Sequence, residues 1–389
     1  MDQMMTTQAG EAGAFAEFDL LRVPSPCFVV DEVAVERNLR ILADVAEQSG
    51  AKVLSALKAF SMFAVAPLVR QYLQGTCASG IYEARLGREE YGGEVATFCA
   101  GYKASEIEEI IALSDHVVFN SPAQKDRFAA KCRAAGRHVG LRINPEHSEG
   151  EIPKYDPCAP FSRLGTPVSQ LTTEMLGGVD GLHMHTLCEQ GFPPLARTWQ
   201  AVEPALAPYL SSLKWLNFGG GHHITRSDYD REGLVAFLRS IRTKHGVEVY
   251  LEPGEAVALD AGILVGEILD LPTNGMNLAI TDVSATCHMP DVIEAPYRPA
   301  MLGEAETGHT YRLGGPSCLA GDVIGDYTWP APLQIGQRFA FLDQAHYSMV
   351  KTNTFNGVPL PALAIWNSDT DALRMVKQFG YADFKDRLS

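Results

Sequence analysis

Between residues 52 and 251, short apolar runs alternate with stretches whose apolar residues recur every three or four positions. The runs 52–57, 75–79, 95–99, 116–119, 138–143, 180–185, 214–218 and 247–251 read as strands. The stretches 62–73, 81–91, 105–113, 122–134, 195–208 and 229–244, with 32–48 ahead of the first run, have helical spacing. Ser121 in "SPAQ" and either Ser227 or Asp228 in "SDYD" are candidate N-caps. Eight strands alternating with helices predict a parallel (β/α)8 barrel, its crossovers right-handed because chain chirality sets the twist. "PSPCFVVD", ahead of the barrel, predicts an edge strand opened by prolines. Past about residue 260 the pattern changes. "GILVGEILDL", "LAITDV", "TYRLGGPSCLAGDVIG", "QRFAFLDQ" and "PALAIW" are short runs punctuated by Gly, Pro and Asp, which predict an antiparallel β domain. The expected organisation is an N-terminal segment 1–31 that joins the β domain, a barrel at 32–260, and the β domain at 261–389. "MDQMMTTQAGEAGAF" at the start reads as a loose tail.

Composition narrows the classes. With 389 residues, 46% of them hydrophobic and 20% charged, the chain has material for two domains with buried cores, and disorder is not the default expectation. A net charge of −15 argues against a nucleic-acid surface and suits a cationic small molecule. The eight cysteines show neither CxxC spacing nor a compact framework, and no signal-peptide pattern precedes them, so reduced thiols in a cytoplasmic protein are expected. No apolar run approaches the ~20 residues needed to span a bilayer.

The candidate chemistry begins with "VLSALKAFSMF", where Lys58 interrupts an apolar run. Such a lysine either snorkels to water or loses its solvation and becomes a neutral amine able to condense with a carbonyl. Its place at or just past the end of the first barrel strand is where barrel enzymes carry their chemistry. "HMHTLCEQG" puts His183, His185 and Glu189 at the end of the sixth strand. His183 and His185 share a face and could ligate a metal, but no third ligand stands at suitable spacing, and His222 and His223 would diverge on a strand; no metal is expected. An imidazole lying flat on a cofactor ring, or a satisfied core histidine, remains. In "LNFGGGHH", Gly219, Gly220 and Gly221 either let backbone N–H groups approach an anion or form a tight turn. Glu252 in "YLEPGEA" is either a charged loop residue or a carboxylate that holds the proton on a pyridine nitrogen, the arrangement that makes pyridoxal 5'-phosphate (PLP) a strong electron sink. Cys318 and Asp322 lie in "GGPSCLAGD", and Tyr347 in "DQAHYSMV" could reach phosphate or cap a core aromatic.

Taken together, "ALKAF", "CASGIYEARLG", "FSRLG", "HMHTLCEQG", "NFGGGHH", "EPGEA", "GPSCLAGD" and "DQAHYSMVKTNTFNG" resemble the fold-type III PLP-dependent decarboxylases, with alanine racemase a more distant relative. The resemblance covers residues 25 to 367 and implies an alanine racemase-type barrel with a C-terminal β domain. It implies that Lys58 carries PLP, that His185 stacks on its ring, that Glu252 pairs with the pyridine nitrogen, and that Gly219 to Gly221 and Tyr347 hold the phosphate. It also implies a homodimer with shared active sites, Cys318 and Asp322 reaching across the interface and Cys318 acting as proton donor. Glu189 and Asp322 would receive substrate ammonium groups, and Arg298 would face a carboxylate. Ornithine-type members have an arginine where this chain has Glu255, which suits a cation of a longer substrate or a pairing with another residue. "HTLCE", "EPGEA" and "DQAHYSMVKTNTFNG" are most similar to the branch that decarboxylates carboxynorspermidine and carboxyspermidine in polyamine biosynthesis. The alternatives are a diaminopimelate or other basic amino-acid decarboxylase and a catalytically silent PLP-binding regulatory protein.

Overall fold

The computed structural model describes residues 5–6, 10–150 and 153–389. The chain forms two compact units, one of residues 36–257 and one combining residues up to Val35 with Ala258–Ser389.

In the first unit the strands are β1 (Lys52–Ala56), β2 (Gly75–Ala78), β3 (Glu94–Phe98), β4 (His116–Phe119), β5 (His138–Asn144), β6 (Gly181–His183), β7 (Trp215–Asn217) and β8 (Glu248–Leu251). Each pairs in parallel with its neighbours in chain order, and β8 pairs with β1, so the barrel closes as the alternation predicts. One end of its interior is plugged by aromatic rings. Trp215 packs with Leu54, Ala96, Val118 and Tyr250, and its indole fits because Gly140 and Gly181 face it. A Cβ on Gly181 would lie 2.0 Å from the indole. Side chains alternate along a strand, so two residues further on each strand points inward again. Gly140 thus leads to Arg142, Gly181 to His183, Trp215 to Asn217 and Tyr250 to Glu252. The plug and the polar layer above it come from the same strands.

Ser121 caps the helix Pro122–Ala134, its Oγ accepting from the Gln124 N–H at 3.3 Å. The helix expected at 229–244 is Arg231–His245, and its cap is Asp230 rather than Ser227 or Asp228. Asp230 accepts from the Gly233 N–H at 2.8 Å, while Asp228 is held by Arg226.

The second unit carries an eight-stranded sheet that is mixed, not antiparallel throughout. Cys27–Asp31 runs antiparallel to Gly262–Asp270 and parallel to Ala362–Asn367. "PSPCFVVD" therefore supplies an interior strand rather than an edge. Both prolines precede the strand, so residues 27–31 keep every N–H for two ladders, and the long connections to 262 and 362 permit either direction of pairing. Of the tail at 1–15, residues 1–4 and 7–9 lie outside the described residues. Its end is not loose: Gly13–Glu17 is a 3-10 turn whose Phe15 is buried against Trp366, ring centroids 5.3 Å apart. Among the described residues, no helix is long and apolar enough to cross a membrane.

Candidate active site

Lys58 lies two residues beyond the end of β1 and lines a pocket with Ala56, Cys77, Phe98, Arg142, His183, His185 and Glu252. Its Nζ is 3.3 Å from His185 Nε2. His185 Nδ1 in turn accepts from the Gly220 N–H at 3.0 Å. A backbone N–H can only donate, so the proton of the neutral ring sits on Nε2, and Nε2–H points at the lysine nitrogen. An amine that accepts this bond must be unprotonated. The electrostatics agree: burial pulls the Lys58 ammonium below its ordinary value, and burial, with the Arg142 charge, pulls His185 well below its own.

Glu252 stands at the end of β8. Its Oε2 is 3.0 Å from His183 Nε2, and its Oε1 accepts from Asn217 Nδ2 at 2.7 Å. Burial alone would raise this carboxyl, but the His183 ring and the Asn217 amide outweigh it and hold the group below its ordinary value. His183 stacks on Phe98 at 5.6 Å, and the Arg142 guanidinium lies 4.5 Å from the centroid of the same ring. Arg142 also donates to the His185 carbonyl at 3.1 Å, and burial lowers its pKa to about 10.

The glycines after β7 serve close packing. Cβ atoms on Gly220 and Gly221 would lie 2.1 Å from the Glu252 carbonyl and 1.8 Å from the Leu187 carbonyl, and Gly219 and Gly221 have positive φ, 67° and 85°. Two of the three N–H groups have partners inside the unit: that of Gly219 donates to Asn217 Oδ1 at 2.8 Å, that of Gly220 to His185.

Lys58, His185, Glu252 and the glycine loop thus converge, from the ends of β1, β6, β8 and β7. Glu255 Oε2 faces His223 Nε2 at 3.1 Å, so of its two expected uses the pairing with another residue is present. Glu189 is exposed with φ 54°. Cys318, Asp322, Tyr347 and Arg298 belong to the second unit. There the Arg298 guanidinium is engaged by Glu304, by the Asp326 carbonyl at 2.9 Å and by the Tyr327 ring at 3.9 Å. Tyr347 opens the short helix Tyr347–Val350. Sequence reasoning missed Arg142 and Asn217. The signals were a cation inside the apolar run "HVGLRIN" and an amide two residues before the first glycine.

A closed parallel barrel with a desolvated lysine past its first strand, a neutral histidine against it and an ionised carboxylate beyond is an arrangement suited to barrel enzymes whose lysine condenses with a carbonyl. The family model for pyridoxal-dependent decarboxylases, described by their C-terminal sheet domain, matches residues 27–345. The chain is 39% identical to carboxynorspermidine/carboxyspermidine decarboxylase of Campylobacter jejuni over 380 residues, 94% of this chain and 99% of the relative. It is 40% identical to carboxyaminopropylagmatine decarboxylase of Synechocystis over 374 residues, 95% and 96% of the two chains. The crystal structure of carboxynorspermidine decarboxylase from Campylobacter jejuni complexed with norspermidine superposes with a TM-score of 0.87 at 38% identity, covering 94% of this chain and 100% of that one. This chain belongs to the pyridoxal-dependent decarboxylases.

Proposed function

We propose that this chain decarboxylates carboxynorspermidine to norspermidine and carboxyspermidine to spermidine, with PLP held covalently on Lys58. The observation that carries the reading is the full-length similarity to an enzyme of that activity, joined to a pocket whose donor set suits the cofactor. Ala56, Ala78 and Ala96 line the pocket and leave width for a flat ring. His185 is a neutral imidazole suited to lie against it. Glu252 accepts two hydrogen bonds and has lone pairs to spare for an N–H from a pyridine nitrogen.

Bound PLP supplies the electron sink that makes loss of CO2 from an α-amino carboxylate feasible. The protein supplies the rest. Lys58 tethers through Nζ. Glu252, kept ionised by His183 and Asn217, holds a proton on the ring nitrogen. Arg142 fixes the His185 backbone through its carbonyl. The glycine loop and Tyr347 receive the phosphate, Glu189 meets an ammonium group of the substrate tail, and the thiol of Cys318 delivers a proton to the α carbon. A net charge of −15 suits a polycationic substrate.

The Synechocystis relative, similar to the same degree, favours a second reading in which the tail ends in a guanidinium. Purified protein with PLP should be offered carboxynorspermidine, carboxyspermidine and carboxyaminopropylagmatine separately, and products followed by mass spectrometry. Norspermidine and spermidine formation at the highest kcat/KM supports the first reading; preference for the guanidino substrate replaces it with the second.

The working form is a homodimer in which each site takes groups from both chains. An inactive Lys58→Ala variant and a Cys318→Ala variant slowed to a small residual rate should regain activity when mixed and reassociated. Random pairing makes half the dimers mixed, each with one intact site, so about a quarter of wild-type activity is expected. No recovery would assign both residues to the same chain.

A further inference from the structure

Asp322 was expected to receive a substrate ammonium, and its surroundings suggest a different use. The carboxylate is buried, 4% exposed. Its Oδ1 accepts from the Thr286 N–H at 3.2 Å, and its Oδ2 from Ser284 Oγ at 2.8 Å, Ser317 Oγ at 2.6 Å and the Ser317 N–H at 3.4 Å. The hydroxyl directions are fixed by what else they do. Ser284 Oγ accepts from the Cys287 N–H at 3.0 Å and Ser317 Oγ from the Leu319 N–H at 3.4 Å, so both hydroxyl protons are left to donate to Asp322. Four donors occupy the carboxylate.

These bonds converge on the loop that carries Cys318. Ser317, which gives Asp322 two of them, is its immediate neighbour. The loop closes on itself through the Gly315 N–H to the Asp322 carbonyl at 2.9 Å and the Asp322 N–H to the Leu319 carbonyl at 2.9 Å. A Cβ on Gly315 would lie 2.3 Å from Asp322 Oδ2, so the chain wraps the carboxylate too tightly for any side chain there. On the other side the Cys318 N–H donates to Asn356 Oδ1 at 3.0 Å. Asn353, three residues earlier, binds back to the 286–287 segment: its N–H donates to the Cys287 carbonyl at 2.9 Å and its Nδ2 to the Thr286 carbonyl at 2.8 Å. Three segments, 284–287, 315–322 and 353–356, are tied together, and Cys318 stands exposed on the middle one.

We propose that Asp322 is a positioning residue for the Cys318 thiol and not a ligand of the substrate's ammonium group. The proposal rests on the reading of Cys318 as the proton donor to the α carbon. Asparagine at 322 is nearly the same size but cannot satisfy the site, because its NH2 would face a donor on whichever side it takes. The thiol would lose its fixed placement, and misplacement of a proton donor acts on turnover more than on binding.

The test is a double-mutant cycle on the PLP-loaded protein with carboxynorspermidine, combined with the rate at which iodoacetamide alkylates Cys318, mapped by mass spectrometry. Asp322→Asn should lower kcat by about 10-fold or more and leave KM within about twofold. The double variant with Cys318→Ala should be no slower than Cys318→Ala alone, because the two residues act as one unit. The alkylation rate should change by about threefold or more, since the local environment of a thiol sets its reactivity. Ser317→Ala, which keeps the carboxylate and removes one donor, should move kcat and alkylation in the same directions by less, and it carries the test where Asp322→Asn does not fold. Raised KM with kcat intact, effects of Asp322→Asn and Cys318→Ala that multiply, or an unchanged alkylation rate would each overturn the positioning role. A fully active Cys318→Ala with altered alkylation in Asp322→Asn would overturn the proton-donor reading while leaving the placement of the thiol supported.

Discussion

Lys58→Ala should lose all measurable turnover and, with it, the visible absorbance of covalently held cofactor. Among the residues lining the pocket, Lys58 is the only one with a primary amine. It is also prepared for condensation: an ammonium cannot attack an aldehyde, and both burial and the Nε2–H of His185 favour the neutral form. Preparing the amine has a cost that can be measured. A lysine whose pKa falls on folding destabilises the fold wherever the unfolded lysine is protonated, neutral pH included, and the penalty fades as pH rises toward the ordinary value of 10.5. Lys58→Met, which keeps the stem and drops the charge, should raise Tm of the cofactor-free protein at pH 7, with a gain that shrinks toward pH 10.5. Decarboxylation that survives in Lys58→Ala would end the proposed mechanism.

Glu252→Gln should keep the cofactor and lose about 10²–10³ in kcat, the scale seen when one preorganised electrostatic stabiliser is removed from a buried site. The carboxylate is ionised because His183 and Asn217 together overcome its burial. Glutamine accepts from Asn217 equally well but carries no charge and would present an NH2 toward His183 or the ring nitrogen. A ring nitrogen without an anionic partner keeps its proton less readily, and the electron sink weakens. KM should change by no more than about twofold, because the loss falls on the transition state. Wild-type turnover in Glu252→Gln would reject the ring-nitrogen role.

The sequence makes some of this molecule legible and hides the rest for physical reasons. All eight barrel strands fall within the apolar runs or within a residue of them, because period two and period 3.6 are properties of a few neighbouring residues. Lys58, His185 and Glu252 could be located for the same reason: each sits at the end of a recognisable strand. Arg142 and Asn217 could not, since nothing near them says which face of β5 or β7 will point into the closed barrel. Trp215 decides it, by demanding glycine at positions 140 and 181 and so placing the next inward residues. The interior position of Cys27–Asp31 was equally out of reach, because its ladders are made with residues 262–265 and 362–366. Asp322 is the sharpest case. The resemblance implies a ligand of the substrate, while the hydrogen bonds from Ser284 and Thr286, 38 and 36 residues earlier in the chain, exist only in the fold.

The central claim is that Lys58 carries the cofactor, and the most direct test is chemical trapping. The purified protein, loaded with PLP, should be reduced with borohydride, digested and sequenced by mass spectrometry. Reduction should fix a phosphopyridoxyl group on the peptide containing Lys58 and on no other lysine. A label on a different lysine, or none from protein that visibly binds PLP, would contradict the account.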